Sequence, residues 1–388
     1  MRIALDARPL QLGFREHVGR GIGRYAVELV SALGRRDDIA LELWFESRLE
    51  LPKSGLPATA TLRHFPPFDD SKRKLTGSLF TTPVAAFSSR ADVFHFLAHG
   101  DAPAFMPRRC VVTVHDLILE VMADRYASRS LKYRVGRWLE TSAVRNARTL
   151  IADSGVTRDD IVRLHHVDPA RVHVVHLGVD ALFRVPAPAA VAELRARLGL
   201  AQPFVLYVGG IDGRKNVRML VEAFAHARKA GMSDAVQLVF AGQVQHSPEY
   251  AALCELARAQ GLEDVFRPVG FVATADLPLL FGAADVFAFP SLYEGFGLPP
   301  LEAMACGAPV VSTTGGSLIE VLGDAARTAP ADDPRAFGEV LAEVMRDPAQ
   351  RAALRERGLA HAARFTWDRT AEGTVQAYRA ALATGVRP

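Results

Sequence analysis

The 388-residue chain has little cysteine, only Cys110, Cys254 and Cys306. Their odd number and wide spacing exclude a disulfide framework and a zinc cluster. No apolar run reaches the ~18–20 residues of a membrane-spanning helix. The opening Met1-Arg2-Ile3-Ala4-Leu5-Asp6 is charged too early for a signal peptide. These absences point to a reducing cytoplasm. A net charge of +3 lacks the basic excess of a nucleic-acid binder. What is present, 49% apolar and 23% charged residues, is the balance of a soluble globular protein, and the length suits two domains. Residues 1–180 hold 26 basic against 21 acidic side chains and nine of the twelve histidines. That bias suits either an anionic neighbour such as phospholipid or an ordinary solvated surface.

Short apolar runs alternate with amphipathic segments. Strands are expected at Arg2–Asp6, Ile39–Phe45, Asp92–Leu97, Cys110–Val114, Thr149–Ala152 and Val172–Val175, with helices around Gly23–Leu33 and Ser130–Arg148. The Pro- and Ala-rich stretch Phe183–Val191 reads as a linker. A second series follows: strands Phe204–Val208, Val236–Phe240, Val265–Pro268, Asp285–Pro290 and Val310–Ser312, and helices Asn216–Ala230, Pro248–Ala259 and Pro300–Cys306. This order predicts two doubly wound α/β domains, each a parallel sheet with helices on both faces. The expected boundaries are 1–180, 181–365 and a final helical segment 366–388. Ligands bind beyond the carboxyl ends of such strands. Two sheets facing a central cleft would each hold one substrate of a group transfer.

Four segments carry candidate chemistry. In Pro290-Ser291-Leu292-Tyr293-Glu294-Gly295-Phe296-Gly297-Leu298-Pro299-Pro300-Leu301-Glu302, a strand runs into a loop and then a helix. Pro299 and Pro300 suit the first helical turn, Glu302 is expected in that turn, and Gly307 ends the helix. Carboxylates accept from sugar hydroxyls, and a helix start suits phosphate. Together these describe a nucleotide-sugar site. In Tyr207-Val208-Gly209-Gly210-Ile211-Asp212-Gly213-Arg214-Lys215-Asn216, two cations at a strand end suit a pyrophosphate. His115, in Thr113-Val114-His115-Asp116-Leu117, ends a strand; it is either a hydrogen-bonded core residue or a group beside the reacting sugar, and Asp116 either orients it or meets the acceptor. Gly19-Arg20-Gly21-Ile22-Gly23 alternates too strictly for a dinucleotide fingerprint; it is either a tight turn or a phosphate approach.

The Glu294–Glu302 block resembles the E-x7-E signature of the retaining glycosyltransferases of family GT4, and the resemblance extends over essentially the whole chain. It implies the GT-B fold, two Rossmann-like domains facing a central cleft. It assigns Glu294 to the transferred sugar and Glu302 to the ribose, and places His115 beside the donor sugar. Lys215 and Arg214 are implied at the diphosphate, with Gly210 standing where many members have an arginine. The Gly213-Arg214-Lys215-Asn216 segment is similar to the P-R-K-N type of a subgroup rich in mannosyltransferases, with Gly213 replacing its proline. Gly270, Phe271 and Val272 match a segment that reads the nucleobase. Gly21, Gly23, Gly295, Phe296, Gly297 and Gly315 complete the implied donor contacts.

The reaction implied is retaining transfer of a hexose, mannose from GDP-mannose preferred over a UDP-sugar, to a glycan or lipid-linked saccharide in cell-surface polysaccharide synthesis. No cofactor is expected, and no metal either, since the sequence lacks any Asp-x-Asp triplet. Ser128–Arg148 carries Arg129, Lys132, Arg134, Arg137, Arg145 and Arg148 with Tyr133, Trp138 and Leu139. It is either a basic aromatic helix at the inner face of the cytoplasmic membrane or one packed on its own sheet. Phe365-Thr366-Trp367-Asp368 resembles a segment crossing back to the first domain. The alternatives are a nucleotide-sugar epimerase, an NAD-dependent oxidoreductase and a non-catalytic nucleotide-sugar binder.

Overall fold

The computed structural model describes residues 1–383 except 16, 19, 20, 66–76, 108, 129, 243 and 248. The chain forms two compact units, Met1–Gly178 joined by the segment from Thr366 onward, and Val179–Phe365. In the first, strands β1 (Arg2–Asp6), β2 (Ala40–Glu46), β3 (Thr61–Phe65), β4 (Val93–Phe96), β5 (Cys110–Val114), β6 (Thr149–Ala152) and β7 (Val172–Val174) make one sheet. Its order is β3-β2-β1-β4-β5-β6-β7, with every neighbour parallel. Helices α1 (Gly21–Gly34), α2 (Thr82–Ser88), α3 (Ile118–Val121), α4 (Ala123–Tyr126), α5 (Leu131–Asn146) and α6 (Gly155–His165) connect the strands. All five residues of β5 are buried, as expected of a strand covered on both faces.

The second unit holds β8 (Phe204–Val208), β9 (Gln237–Ala241), β10 (Phe266–Gly270), β11 (Val286–Phe289), β12 (Val310–Thr313) and β13 (Arg327–Ala329), in the order β10-β9-β8-β11-β12-β13. Its helices are α7 (Pro188–Leu198), α8 (Val217–Lys229), α9 (Tyr250–Ala259), α10 (Leu277–Ala283), α11 (Leu298–Ala305), α12 (Leu318–Leu322), α13 (Pro334–Arg346) and α14 (Pro348–Ala362). The last helix, α15 (Trp367–Ala383), packs on the first unit, where Trp367 and Tyr378 are buried. Gly178 is required beside it, since a Cβ there would lie 2.3 Å from the Trp367 nitrogen.

Two expectations need correction. The stretch Phe183–Val191 is only partly a linker, because α7 starts inside it at Pro188. Proline at the first helical position, followed by alanines, favours that start. Glu302 does not lie in a first helical turn. Because α11 starts at Leu298, directly after the left-handed Gly297 (φ 98°), Glu302 is its fifth residue. The helix expected from Pro248 is described from Tyr250, Pro248 lying outside the described residues. Strands β3 and β13 were not expected from the sequence. Four of the five β3 residues are exposed, and β13 has three residues, so neither makes an apolar run.

Each sheet reverses its order once, between β1 and β4 and between β8 and β11. Crevices at the carboxyl ends of such switch points are where open α/β sheets bind ligands.

Candidate active site

At the second switch point, β8 ends in a loop leading to Asp212. The Asp212 carboxylate accepts from the Arg214 amide at 3.1 Å and starts a tight 3₁₀ turn over Gly213–Lys215. Asn216 then takes a left-handed conformation (φ 55°), anchored by its side chain on the Ala331 carbonyl, and α8 begins. This turn presents two neighbouring cations at one strand end. From the adjacent β11, the next loop brings up Glu294. Lys215 Nζ donates to Glu294 Oε1 and Arg214 Nη1 to Oε2, each at 2.9 Å. The Leu292 amide donates to the Arg214 carbonyl at 2.9 Å, so the two loops are also joined through the backbone. Lys215 Nζ lies 5.2 Å from the Phe289 ring centroid, within cation–π range.

Glu294 is 9% exposed. Burial pushes its carboxyl up, but Lys215 and then Arg214 outweigh it and hold the pKa below the ordinary glutamate range. Its loop is backed by the Gly315-Gly316-Ser317 turn. Ser317 donates from its amide and its hydroxyl to the Glu294 carbonyl, both at 3.0 Å. A Cβ on Gly315 would lie 2.3 Å from the Leu292 carbonyl oxygen, and one on Gly316 2.4 Å from that of Glu294. Gly295, Phe296 and Gly297 are buried in the same loop, with Phe296 edge-on to Phe365 at 6.0 Å. Glu302 is buried on α11 near Cys306, whose thiol burial and the Glu302 charge push up to about 12. Gly270 closes β10 with φ 77°, its carbonyl accepting from Gly242, and Phe271 beyond it is 70% exposed. Val272 follows, half-buried.

In the first unit, His115 stands just past β5. Its Nδ1 bonds Asp153 Oδ2 at 2.7 Å and its Nε2 the Leu97 carbonyl at 2.9 Å. The Leu97 carbonyl can only accept, so Nε2 carries a proton, while Nδ1 faces the Asp153 carboxyl, whose own pKa burial raises. Burial opposes the charge, but Asp153 outweighs it and raises the pKa above the ordinary imidazole value. Contact of Nε2 with a sugar therefore requires loss of the Leu97 bond. Tyr25 packs edge-on against the ring at 4.7 Å. A buried chain runs behind it: Tyr378 Oη to His95 Nδ1 (2.7 Å), His95 Nε2 to Thr113 Oγ1 (2.8 Å), and Thr113 Oγ1 to Tyr25 Oη (2.9 Å). Asp116 does not bond His115 but accepts from the Ile118 amide at 3.1 Å. Gly21 is exposed with open space where a Cβ would stand, whereas a Cβ on Gly23 would meet the His17 carbonyl at 2.2 Å. Packing alone requires glycine at 23. Gly19 and Arg20 lie outside the described residues, as does Arg129 of the basic segment.

The structure thus gathers Glu294, Lys215 and Arg214 into one cluster, with Glu302 on the adjoining helix and His115 in the other unit. Sequence reasoning missed Asp153, His95 and Tyr25. Asp153 immediately follows an apolar strand, a position that could have flagged it. His95 sits inside a strand, where nothing in the pattern marks it. Among the described residues no group of three or more His, Cys, Asp or Glu is placed to hold a metal ion, and no helix is long and apolar enough to cross a membrane.

Two doubly wound parallel sheets, one carrying paired cations against a carboxylate at its switch point, are the architecture of the GT-B class. The chain matches the family "Glycosyltransferase Family 4" over residues 19–181 and "Glycosyl transferases group 1" over residues 192–361. It is 30% identical over 377 residues to the O-antigen chain mannosyltransferase B of Escherichia coli, covering 92% of this chain and 96% of that one. It is 32% identical over 398 residues to a D-inositol 3-phosphate glycosyltransferase of Xylanimonas cellulosilytica, covering 95% and 93%. Anabaena Alr3699/HepE in complex with UDP and glucose superposes with a TM-score of 0.73 at 20% identity, covering 98% of this chain and 100% of that one. The chain belongs to this family of glycosyltransferases and acts on a nucleotide-diphosphate sugar and an acceptor.

Proposed function

We propose that the chain transfers a hexose, with retention of anomeric configuration, from a UDP-sugar to a saccharide acceptor in cell-surface glycan synthesis. The observation that carries the reading is the placement of Lys215 and Arg214 together at the β8/β11 switch point. As the bond from the anomeric carbon to the diphosphate breaks, the electron pair leaves with the nucleoside diphosphate. Two fixed cations stabilise that charge where it develops. Arg214 supplies the second cation that Gly210 lacks. The diphosphate displaces Glu294 from the cations, which frees its carboxylate to accept from the sugar hydroxyls. The acceptor hydroxyl attacks the same face, and its proton passes to the departing phosphate oxygen. Glu302 takes the ribose hydroxyls, the Gly270-Phe271-Val272 edge takes the base, and Gly295, Phe296, Gly297 and Gly315 line the approach. His115 and the Gly21–Gly23 turn serve the first unit's side of the reaction.

UDP is favoured by the solved structure in complex with UDP and glucose. GDP-mannose is the second reading, favoured by the mannosyltransferase name of a relative matched along nearly its full length. A peripheral contact with an anionic membrane is supported by α5, which exposes Leu131, Arg134, Trp138 and Arg145 along one face, while Arg137 turns inward to Glu120 and Glu140.

The test is acceptor-dependent release of nucleoside diphosphate from UDP-glucose and from GDP-mannose. Nucleotide affinity is followed alongside by thermal shift. Lys215→Ala and Glu302→Ala are each expected to remove most nucleotide affinity. Turnover near that of the parent in both variants would overturn the site. Binding without acceptor-dependent release would favour a nucleotide-sugar binder.

A further inference from the structure

The first unit contains a cavity to which His115 contributes but none of the second unit's proposed donor residues. It encloses about 240 Å³ and is lined by Arg15, His17, His99, Asp101, Asp116, Arg137 and Glu140 among others. These side chains follow β1, β4 and β5 or come from α5, so the cavity opens at the β1/β4 switch point. Its volume suits a group about the size of one sugar ring.

The charge on its walls is matched pair by pair. Arg15 Nη1 sits on Asp101 Oδ1 and donates to the Gly100 carbonyl at 2.5 Å. His17 Nε2 takes the other oxygen of Asp101 at 3.1 Å. Burial pushes the Asp101 carboxyl up, but Arg15 and His17 outweigh it and hold its pKa at about 2. Arg137 lies between Glu120 and Glu140, 2.5 Å from Glu140 Oε2. His115 carries its own counter-ion in Asp153. Asp116 adds a further carboxylate to the wall. Among the described lining residues there are thus three carboxylates and two guanidiniums, and both guanidiniums are already engaged. Burial pushes the His99 pKa below the ordinary imidazole value, and its buried Nδ1 has no hydrogen-bond partner among the described residues.

A phosphate entering this space finds both guanidiniums already paired and meets Asp116, which among the described residues has no ion-pair partner, an arrangement that disfavours it by like-charge repulsion. A neutral sugar hydroxyl instead finds in Asp116 a carboxylate acceptor. We propose that this cavity receives the acceptor and selects an uncharged, hydroxyl-rich sugar over one bearing a phosphate. The proposal rests on the transferase reading above and names the substrate class for its acceptor side.

The experiment uses the full chain with a fixed donor. The probes are methyl α-mannoside and methyl α-glucoside against mannose 6-phosphate, glucose 6-phosphate and inositol 3-phosphate. Nucleoside diphosphate release is read above the acceptor-free rate. The neutral sugars should show at least about ten-fold higher kcat/KM. Asp116→Asn, which keeps the acceptor for the Ile118 amide, should raise the neutral-sugar KM several-fold, with the donor KM as internal reference. A phosphorylated sugar that works equally well or better overturns the proposal. So does a neutral-sugar KM untouched by Asp116→Asn, and so does stimulation by neither class while nucleotide still binds. A chain that binds neither UDP nor GDP would instead fail the transferase reading, so the two failures are distinguishable.

Discussion

Glu294 is ionised where burial alone would neutralise it, and the reason is two cations at 2.9 Å. Its folded pKa is depressed, so its stabilising contribution is present above the ordinary glutamate range and lost as pH falls through the folded value. Glu294→Gln leaves Lys215 and Arg214 without their counter-charge and should cost about 1.5–3 kcal/mol at pH 7, the range for hydrogen bonds to charged groups. Urea unfolding of parent and variant at pH 7 and pH 3 checks this. The gap should shrink in acid, where the parent carboxylate takes up a proton, and a gap of equal size at both pH values would rule out the ion pairs as its source. The same cluster shows why Arg214 and Lys215 are not interchangeable parts. Arg214 is fixed through its own amide, carbonyl and guanidinium, whereas Lys215 reaches in as a point charge beside an aromatic ring.

At the scale of elements, glycines decide how closely loops approach. Gly316 has φ 61° and no room for a Cβ beside the Glu294 carbonyl; Gly21 has no neighbour within 4 Å of that position. Gly316→Ala should therefore lose about 2 kcal/mol or more, from left-handed strain of ~1–2 kcal/mol plus the clash. It should also displace the Glu294 loop and weaken turnover. Gly21→Ala should be neutral or stabilising by up to ~1 kcal/mol. Paired melting curves and rates for the two variants distinguish these outcomes, and equal costs would refute the argument. Such contacts mark the limit of what the sequence showed. Buried parallel strands such as Cys110–Val114 were legible because both faces are apolar. The exposed edge strand Thr61–Phe65 and the three-residue Arg327–Ala329 were not. The strand-loop-helix run around Glu294 and Glu302 was legible, but the helix start at Leu298 moved Glu302 out of the first turn, because a left-handed Gly297 set the register. The bonds of His115 to Asp153 and Leu97 join strand ends 38 and 18 residues away, and no local periodicity carries such information.

At the scale of the whole molecule, two units with separate sheets should respond to different perturbations. The first unit buries His95 completely between Tyr378 and Thr113, and burial drives its pKa down to about 3; burial also drives His165 down to about 4. Between those values and the ordinary 6.5, the unfolded chain binds protons that the folded unit refuses. Stability therefore falls as pH drops below 6.5, by up to about 1.4 kcal/mol per pH unit for each such group. His115 has the opposite sign, since its raised pKa stabilises below 6.5 and that contribution is lost as pH rises through the folded value. Burial lowers His99 and His173 as well, so with four lowered histidines against one raised, acid between pH 7 and pH 5 should lower the melting of the first unit. Glu294 in the second unit changes only below the ordinary glutamate range. Nucleotide acts on the other side: UDP at 100 times its Kd should add about 2.7 kcal/mol to the unit that binds it. Calorimetry across pH 5–7, with and without UDP, should resolve an acid-sensitive transition and a nucleotide-sensitive one. His95→Asn, which removes the buried titrating ring, should flatten the acid dependence of the first and leave the UDP shift of the second unchanged. A single transition moved equally by acid and by UDP would show that the two cores do not unfold independently.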